Sequence, residues 1–180
     1  MLFRSVAARQ TFAAARQSAK AIADPSWRAW DLGELAQALA AAGDDVAARQ
    51  TFATARQSAK AIADPEKRAV ALGELAQALA AVGNDAAARQ TFAAARQTAD
   101  AIADPEKRAK ALRALAQALI RAGQIDDAMA LLVSAWAQAQ TVNELTTLFV
   151  VDSSLLRTYP TLGGDLLAAF GWVEQVVRTA

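Results

Sequence analysis

Apolar residues in this chain follow a helical spacing that stops and restarts several times. Between residues 65 and 83, one apolar stripe consists of Leu72, Leu75, Ala76 and Leu79. The spacings of three, one and three residues place these side chains on one side of an α-helix. A second stripe, between residues 85 and 103, consists of Ala88, Phe92, Ala95 and Ile102. No stretch alternates apolar and polar residues over the length of a strand, so the pattern predicts an all-α protein.

Residues at the edges of these stripes indicate where each helix begins and ends. Asp64 suits an N-cap, because its carboxylate can accept from free backbone N–H groups, and Pro65 suits the first helical position. Gly83 favours the left-handed conformation that ends a helix, and Asn84 and Asp85 are candidate caps for the next helix. We expect both helices to span about 17–19 residues. The second should end only at the next Asp-Pro pair, because the residue before a proline disfavours the α region.

This two-helix unit recurs along the chain with a period of 40 residues. Asp-Pro pairs begin at residues 24, 64 and 104, and glycines stand at residues 43, 83 and 123. A fixed period of this length is typical of stacked supersecondary units, each of which buries its apolar face against the next. The chain is therefore predicted to contain a repeat region at 1–140, with a half repeat at 1–23 and helix pairs at 25–63, 65–103 and 105–139.

After residue 140 the repeat is lost, and residues 141–180 are predicted to form a C-terminal helical cap. Thr141 and Glu144 fit a capping box, which would start a short helix that runs through Phe149. A second short helix is expected at residues 153–158. A final amphipathic helix is marked by Leu166, Leu167, Phe170, Val173 and Val177.

The repeated unit resembles the tetratricopeptide repeat. The small and large residues of that family's pattern correspond to Leu72, Leu75, Ala76, Leu79, Gly83, Ala88, Phe92 and Ala95. The resemblance covers roughly residues 8–139, although the family's unit usually has about 34 residues and often an aromatic residue in the place of Leu79. The resemblance implies a right-handed α-solenoid of stacked antiparallel helix pairs, in which the first helix of each pair lines a concave groove. It also implies a protein-interaction scaffold, or alternatively the sensor fragment of a larger signalling protein.

Carrying this resemblance over residue by residue gives a set of groove positions. The expected partner-binding residues are Trp30, Gln37, Val70, Gln77, Lys110, Arg113, Gln117 and Arg121. Glutamine side chains can both donate to and accept from a peptide backbone, so a protein or peptide partner is expected. The groove should be apolar at its N-terminal end and basic around Lys110. The alternative is that near-identical repeats carry these residues as ordinary solvated positions.

The half repeat at the N-terminus has no first helix of its own, so its apolar side is expected to lie open. Self-association into a homodimer is therefore predicted to involve Leu2, Phe3, Phe12 and Trp27. The next unit has Lys67 in the place of Trp27, which indicates an exposed position. The first 23 residues lack acidic residues, as transit peptides do. Residues 8–23 nevertheless match residues 48–63 at every position except one, which favours a repeat.

Charge and composition narrow the classes of function. The chain has 19 Lys and Arg against 18 Asp and Glu, so no strong field selects nucleic acid or a membrane surface. It contains no cysteine and no histidine, which excludes disulfides, thiolate chemistry and imidazole ligands. No apolar run approaches the length of a membrane span. We expect no cofactor, no metal and no membrane, and a cytoplasmic location.

Two further classes of function stay open as alternatives. Arginines recur seven residues apart in each second helix and could attract RNA phosphates; they are Arg9, Arg16, Arg49, Arg56, Arg89 and Arg96. No aromatic ladder accompanies them, so nucleic acid is not the expected partner. Catalysis would have to rest on carboxylates such as Glu34 and Glu74, which recur at solvated helix positions. The paired acids at 44–45 and 126–127 fit helix capping better, so no catalytic residue is predicted.

Overall fold

The computed structural model describes residues 6–149, 153–161 and 164 of the chain. Within these ranges every regular element is a helix, which confirms the predicted all-α class. The helices are α1 (Val6–Lys20), α2 (Pro25–Ala41), α3 (Asp45–Lys60), α4 (Pro65–Ala81), α5 (Asp85–Asp100), α6 (Pro105–Arg121), α7 (Ile125–Gln138), α8 (Val142–Thr147) and α9 (Ser153–Thr158).

The first helix of each pair begins as predicted, at an aspartate followed by a proline. The Asp64 carboxylate accepts from the backbone N–H of Lys67 at 3.0 Å, and Asp24 accepts from those of Ser26 and Trp27. Asp104 repeats this arrangement at the start of α6, where Lys107 donates. These carboxylates satisfy N–H groups that the helix itself leaves free.

The first helix of each pair also ends as predicted, at a glycine in the left-handed region. Gly83 has a φ of 73°, and its N–H donates to Ala80 O, while Asn84 N donates to Leu79 O at 2.9 Å. This pair of hydrogen bonds is a Schellman motif, which turns the chain back towards α5. Gly43 and Gly123 adopt the same conformation in the neighbouring units.

Two details of the predicted unit are wrong. The second helix of the middle pair does not reach the next Asp-Pro pair but ends at Asp100, and Ile102 lies outside the helix with 3% of its surface exposed. The helix ends there because Ile102 enters the core and its carbonyl accepts from the Arg108 guanidinium at 3.2 Å. The Asn84 side chain makes no capping hydrogen bond at the start of α5.

The helix pairs stack side by side around one continuous core. Each first helix packs against its own second helix, and α4 also packs against both α2 and α6, while α1 packs against α2. The predicted apolar stripes are buried, from Ala76 at 0% exposure to Phe92 at 6%. This succession of neighbouring pairs is the arrangement of an α-solenoid.

Close contact between α2 and α4 depends on a missing side chain. A Cβ atom at Gly33 would lie 2.9 Å from Leu75 Cδ2. At the equivalent position between α4 and α6, a Cβ at Gly73 would meet Leu115 Cδ1 at 3.4 Å. Glycine therefore permits the first helices of the first two pairs to approach closely.

The segment after the third pair packs on that pair. Helix α8 contacts α6, α9 contacts α7, and Leu148 and Leu155 enter the core. The predicted capping box of Thr141 and Glu144 is present, although α8 ends at Thr147 rather than at Phe149. The predicted helix at 153–158 is confirmed, and the final amphipathic helix lies outside the described residues.

Hydrogen bonds and one ion pair connect this segment to the repeats. The buried Glu144 carboxylate accepts from the backbone N–H groups of Gln140 and Thr141 and lies 3.7 Å from the Arg108 guanidinium. The Tyr159 hydroxyl donates to Asp126 Oδ1 at 2.7 Å, which raises the pKa of the phenol. Among the helices of the described ranges, none combines the length and apolarity that a bilayer span requires.

Candidate partner-binding groove

A groove of about 800 Å³ lies between α2 and α4 and reaches the end of α6. Trp27 and Trp30 line it from α2, Val70 lines it from α4, and Arg121 lines it from the last turn of α6. The first helices form this groove because the second helices pack behind them. Their apolar stripes face α3 and α5, and their polar sides remain open.

Two tryptophans dominate the N-terminal end of the groove. Trp27 is 64% exposed and Trp30 is 54% exposed, and their ring centroids lie 6.2 Å apart with the planes at 89°. The residues are three apart on α2 and therefore share one face of the helix. Large aromatic side chains left in water are frequent anchor residues for protein partners.

Several acidic residues line the same groove as the aromatic pair. Glu34 from α2 and Glu66 and Glu74 from α4 line the groove, together with the capping residue Asp64. No ion pair among the described residues involves any of the three glutamates. The groove lining also contains two cations, Lys67 and Arg121.

The charge of Lys67 influences the pKa values of two N-cap carboxylates, Asp24 and Asp64. The backbone N–H groups of Trp27 and Ser26 lower the pKa of Asp24, and the Lys67 charge lowers it further. A hydrogen bond from the backbone of Lys67 lowers the pKa of Asp64, with further contributions from the charges of Lys107 and Lys67. The charge of Lys67 thus contributes to lowering both pKa values. Among the described residues, no ion pair includes Glu34, Glu66 or Glu74.

The C-terminal end of the groove is polar. Gln77 accepts a hydrogen bond from the Arg121 Nε at 3.0 Å, which joins α4 to α6. Gln37 donates to the Glu34 carboxylate at 3.2 Å within α2. Both glutamines are partly exposed and have hydrogen-bonding atoms left for a ligand.

The structure brings together some of the predicted partner-binding residues and not others. The groove contains Trp30, Gln37, Val70, Gln77 and Arg121. The other three, all exposed on α6 and absent from the groove lining, are Lys110, Arg113 and Gln117.

The residues predicted for self-association are divided in the same way. Trp27 lines the groove, whereas Phe12 is a half-buried residue of α1 that does not. Leu2 and Phe3 lie outside the described residues.

Three arginines with a structural role were missed in the sequence. Arg28, Arg68 and Arg108 each donate from Nη1 to the carbonyl of an isoleucine six residues earlier, at 2.8, 2.9 and 3.2 Å. They tie the loop between successive units to the start of the next first helix. Their signal was the 40-residue period itself, because all three occupy the same place in the unit.

The arginine rows of the second helices lie on the other side of the molecule and partly serve to connect neighbours. Arg56 on α3 donates to Gln90 on α5 at 3.1 Å, and Arg96 on α5 donates to Ser134 on α7 at 3.3 Å. Arg49 and Arg89 are exposed.

A cavity beside Arg108 and Glu144, at the junction of α6, α7 and α8, measures about 20 Å³, which is room for about one water molecule. Within residues 6–149 and 153–161, no three Asp or Glu side chains are arranged to hold a metal ion.

Comparison of the chain with protein-family models, with curated proteins and with solved structures found no match. The geometry of the groove is therefore the basis on which a function can be argued.

Proposed function

We propose that this chain is a non-enzymatic interaction module that binds a peptide or an extended segment of a partner protein in the groove between α2 and α4. The observation that supports this proposal best is the pair of exposed tryptophans, Trp27 and Trp30, at one end of an open groove of about 800 Å³. Isolated apolar residues are common on protein surfaces, but two adjacent indoles inside a groove are a typical feature of binding sites.

The length and chemistry of the groove suit an extended peptide. From Trp27 to Gln37 the helix advances roughly 15 Å, which matches about four or five residues of an extended chain. The tryptophans offer apolar contact at one end. Gln37 and Gln77 offer amides that can pair with a peptide backbone towards the other end.

The repeat supplies a matched pair of variants to test the proposal. Gln77 and Gln117 occupy the same position in successive units, but only Gln77 lines the groove. An immobilised array of short peptides of varied sequence should give a set of ligands for the wild-type chain. Trp30→Ala and Gln77→Ala should weaken the binding of these ligands, whereas Gln117→Ala should leave it unchanged.

Hydrogen–deuterium exchange with a selected peptide should then show protection in α2 and α4. Protection confined to α3 and α5, or equal losses from Gln77→Ala and Gln117→Ala, would contradict binding in the groove. Purified variants should be compared by circular dichroism, so that a loss of binding is not confused with a loss of folding.

Self-association is a separate part of the proposal. The open side of α1, where Phe12 is only half-buried, supports contact with a second copy of the chain. Sedimentation velocity should show a concentration-dependent dimer that Phe12→Ser weakens. A strict monomer at high concentration would remove this part and leave groove binding intact.

A further inference from the structure

We propose that the groove selects a basic peptide segment, holding a lysine or arginine side chain between the Trp27–Trp30 pair and the carboxylates of Glu34 and Glu74. This inference rests on the proposed peptide binding and specifies that the bound segment is positively charged. The sequence-based expectation was a groove that is apolar at its N-terminal end and basic around Lys110, and it assigned no role to these carboxylates.

The arrangement of the two indoles suits a cation. The rings meet edge to face at 89°, so they present π-faces in two nearly perpendicular directions. The negative face of an indole attracts an ammonium or a guanidinium within about 6 Å of its centroid, and tryptophan does so more strongly than the other aromatic residues. The long aliphatic stem of a lysine or arginine can pack on the same apolar surface.

Carboxylates from both α2 and α4 line the groove that contains the rings. Glu34 follows Trp30 by four residues on α2, so the two side chains are neighbours on one helix face. Glu74 occupies the equivalent place on α4, four residues after Val70. A cationic side chain on the indoles is thus within reach of acids from two helices.

The residues that line the groove include more acids than bases. They include four acids, Asp64, Glu34, Glu66 and Glu74, against two bases, Lys67 and Arg121. The Lys67 charge acts on the two capping aspartates. Arg121 lies at the opposite end, with its Nε bonded to Gln77. The three glutamates have no ion-pair partner in the described structure, so a basic partner would complete the site.

The acidic character is confined to the first two units. The third unit has Ala114 in the place of Glu34 and Glu74, and Lys110 in the place of Trp30. The exposed first-helix side therefore changes from acidic and aromatic on α2 and α4 to basic on α6. Within the groove, the acids of α2 and α4 favour cationic residues of a bound segment beside Trp27 and Trp30, at the end opposite Arg121.

Fluorescence anisotropy with three labelled nine-residue peptides tests the inference. The probes alternate serine with lysine, with glutamine or with glutamate, and are measured at low and at high salt. The lysine peptide should bind the wild-type chain at least about tenfold more tightly than the glutamate peptide. High salt should reduce this preference, because exposed charges are screened within roughly 10 Å at 0.1 M salt.

Equivalent positions in neighbouring repeat units supply the variants and the control for this test. Trp30→Val installs the residue that the next unit carries at this position, and should weaken lysine-peptide binding roughly fivefold or more through loss of the cation–π contact. The double variant Glu34→Gln/Glu74→Gln should weaken it comparably. The double variant Asp45→Asn/Asp85→Asn removes the same charge from α3 and α5, outside the groove, and should change affinity less than about twofold by the same screening argument.

Each of the other possible outcomes would refute either the proposed site or the cationic nature of its partner. Equal losses from the groove pair and the control pair would mean general charge attraction and would refute the site. Preference for the glutamine or glutamate peptide, with Trp30→Val still damaging, would refute the cationic partner while the proposed peptide binding stands. Absence of binding by all three peptides would refute the cationic partner, whereas the proposed peptide binding is tested separately by the array of varied peptides. A dimer that the lysine peptide cannot displace would make a second copy the occupant and also refute the inference.

Discussion

At the scale of single residues, burial in the second helices divides sharply between neighbouring positions. On α5, Phe92 is 6% exposed, while Arg89, three residues earlier, is exposed to solvent. On α3, Arg56 is half-buried and its guanidinium reaches only the side chain of Gln90. The energetic importance of these residues should follow the apolar area that each removes from water.

Truncation of the buried residues should therefore be costly. We expect Phe92→Ala to lower the free energy of unfolding by about 3–5 kcal/mol and Leu75→Ala by about 2–5 kcal/mol, because both leave cavities. Arg56→Ala should cost less than about 1 kcal/mol, since it loses one exposed hydrogen bond. Urea denaturation followed by circular dichroism measures all three, and equal losses would mean that the inner and outer faces are misassigned.

The N-cap aspartates should give the stability a dependence on acid pH. Hydrogen bonds from the backbone lower the pKa of Asp64 in the folded state below its ordinary value of 3.8. A lowered folded pKa means that the unfolded chain binds the proton more tightly. The stabilisation by this carboxylate is therefore fully present above pH 3.8 and is lost as the pH falls through the lower, folded-state value.

Thermal unfolding of the wild type and of Asp64→Ala should reveal this dependence. The variant should melt at a lower temperature at neutral pH, and the difference should shrink as the pH falls below the ordinary aspartate range. A difference that is constant from neutral to strongly acidic pH would show that the carboxylate charge has no part in capping α4.

At the scale of helices, local sequence determined the boundaries and non-local packing determined the groove. The stripe of Leu72 and Leu75 and the stop at Gly83 were predictable, because helical period and capping depend on residues within a few positions. The extent of the groove was not predictable from the sequence in this way. It depends on how closely α2 and α4 approach, and this is set by the contact of Gly33 with Leu75, which lie far apart in sequence. Lys110 was assigned to the groove by repeat symmetry, but only Arg121 of α6 reaches it.

The left-handed glycines that end the first helices permit a direct test of the backbone at this scale. A Cβ atom at Gly83 would meet nothing within 4 Å, so any cost of substitution comes from the backbone rather than from a clash. Gly83→Ala should destabilise by about 1 kcal/mol, because alanine disfavours a positive φ. Gly83→Asn should cost less, since asparagine visits this region more readily. Equal stability of the wild type and Gly83→Ala would contradict the role of this glycine in turning the chain.

At the scale of the whole molecule, each helix pair is supported by its neighbours, and one core runs from pair to pair. Helix α4 lies between α2 and α6 and contacts both. The groove between α2 and α4 and the connections through Arg28, Arg68 and Arg108 depend on this linear order. A closed bundle of the same helices would have no such groove.

Distances between the first helices test this order most directly. The chain has no cysteine, so pairs of nitroxide labels can be placed at residues 41, 81 and 121, equivalent positions at the ends of α2, α4 and α6. Electron paramagnetic resonance should give similar short separations for 41–81 and 81–121, reflecting helix axes roughly 10 Å apart. The 41–121 separation should be about twice as long. A 41–121 separation as short as the other two would mean that the helices close into a bundle, and would contradict the stacked arrangement.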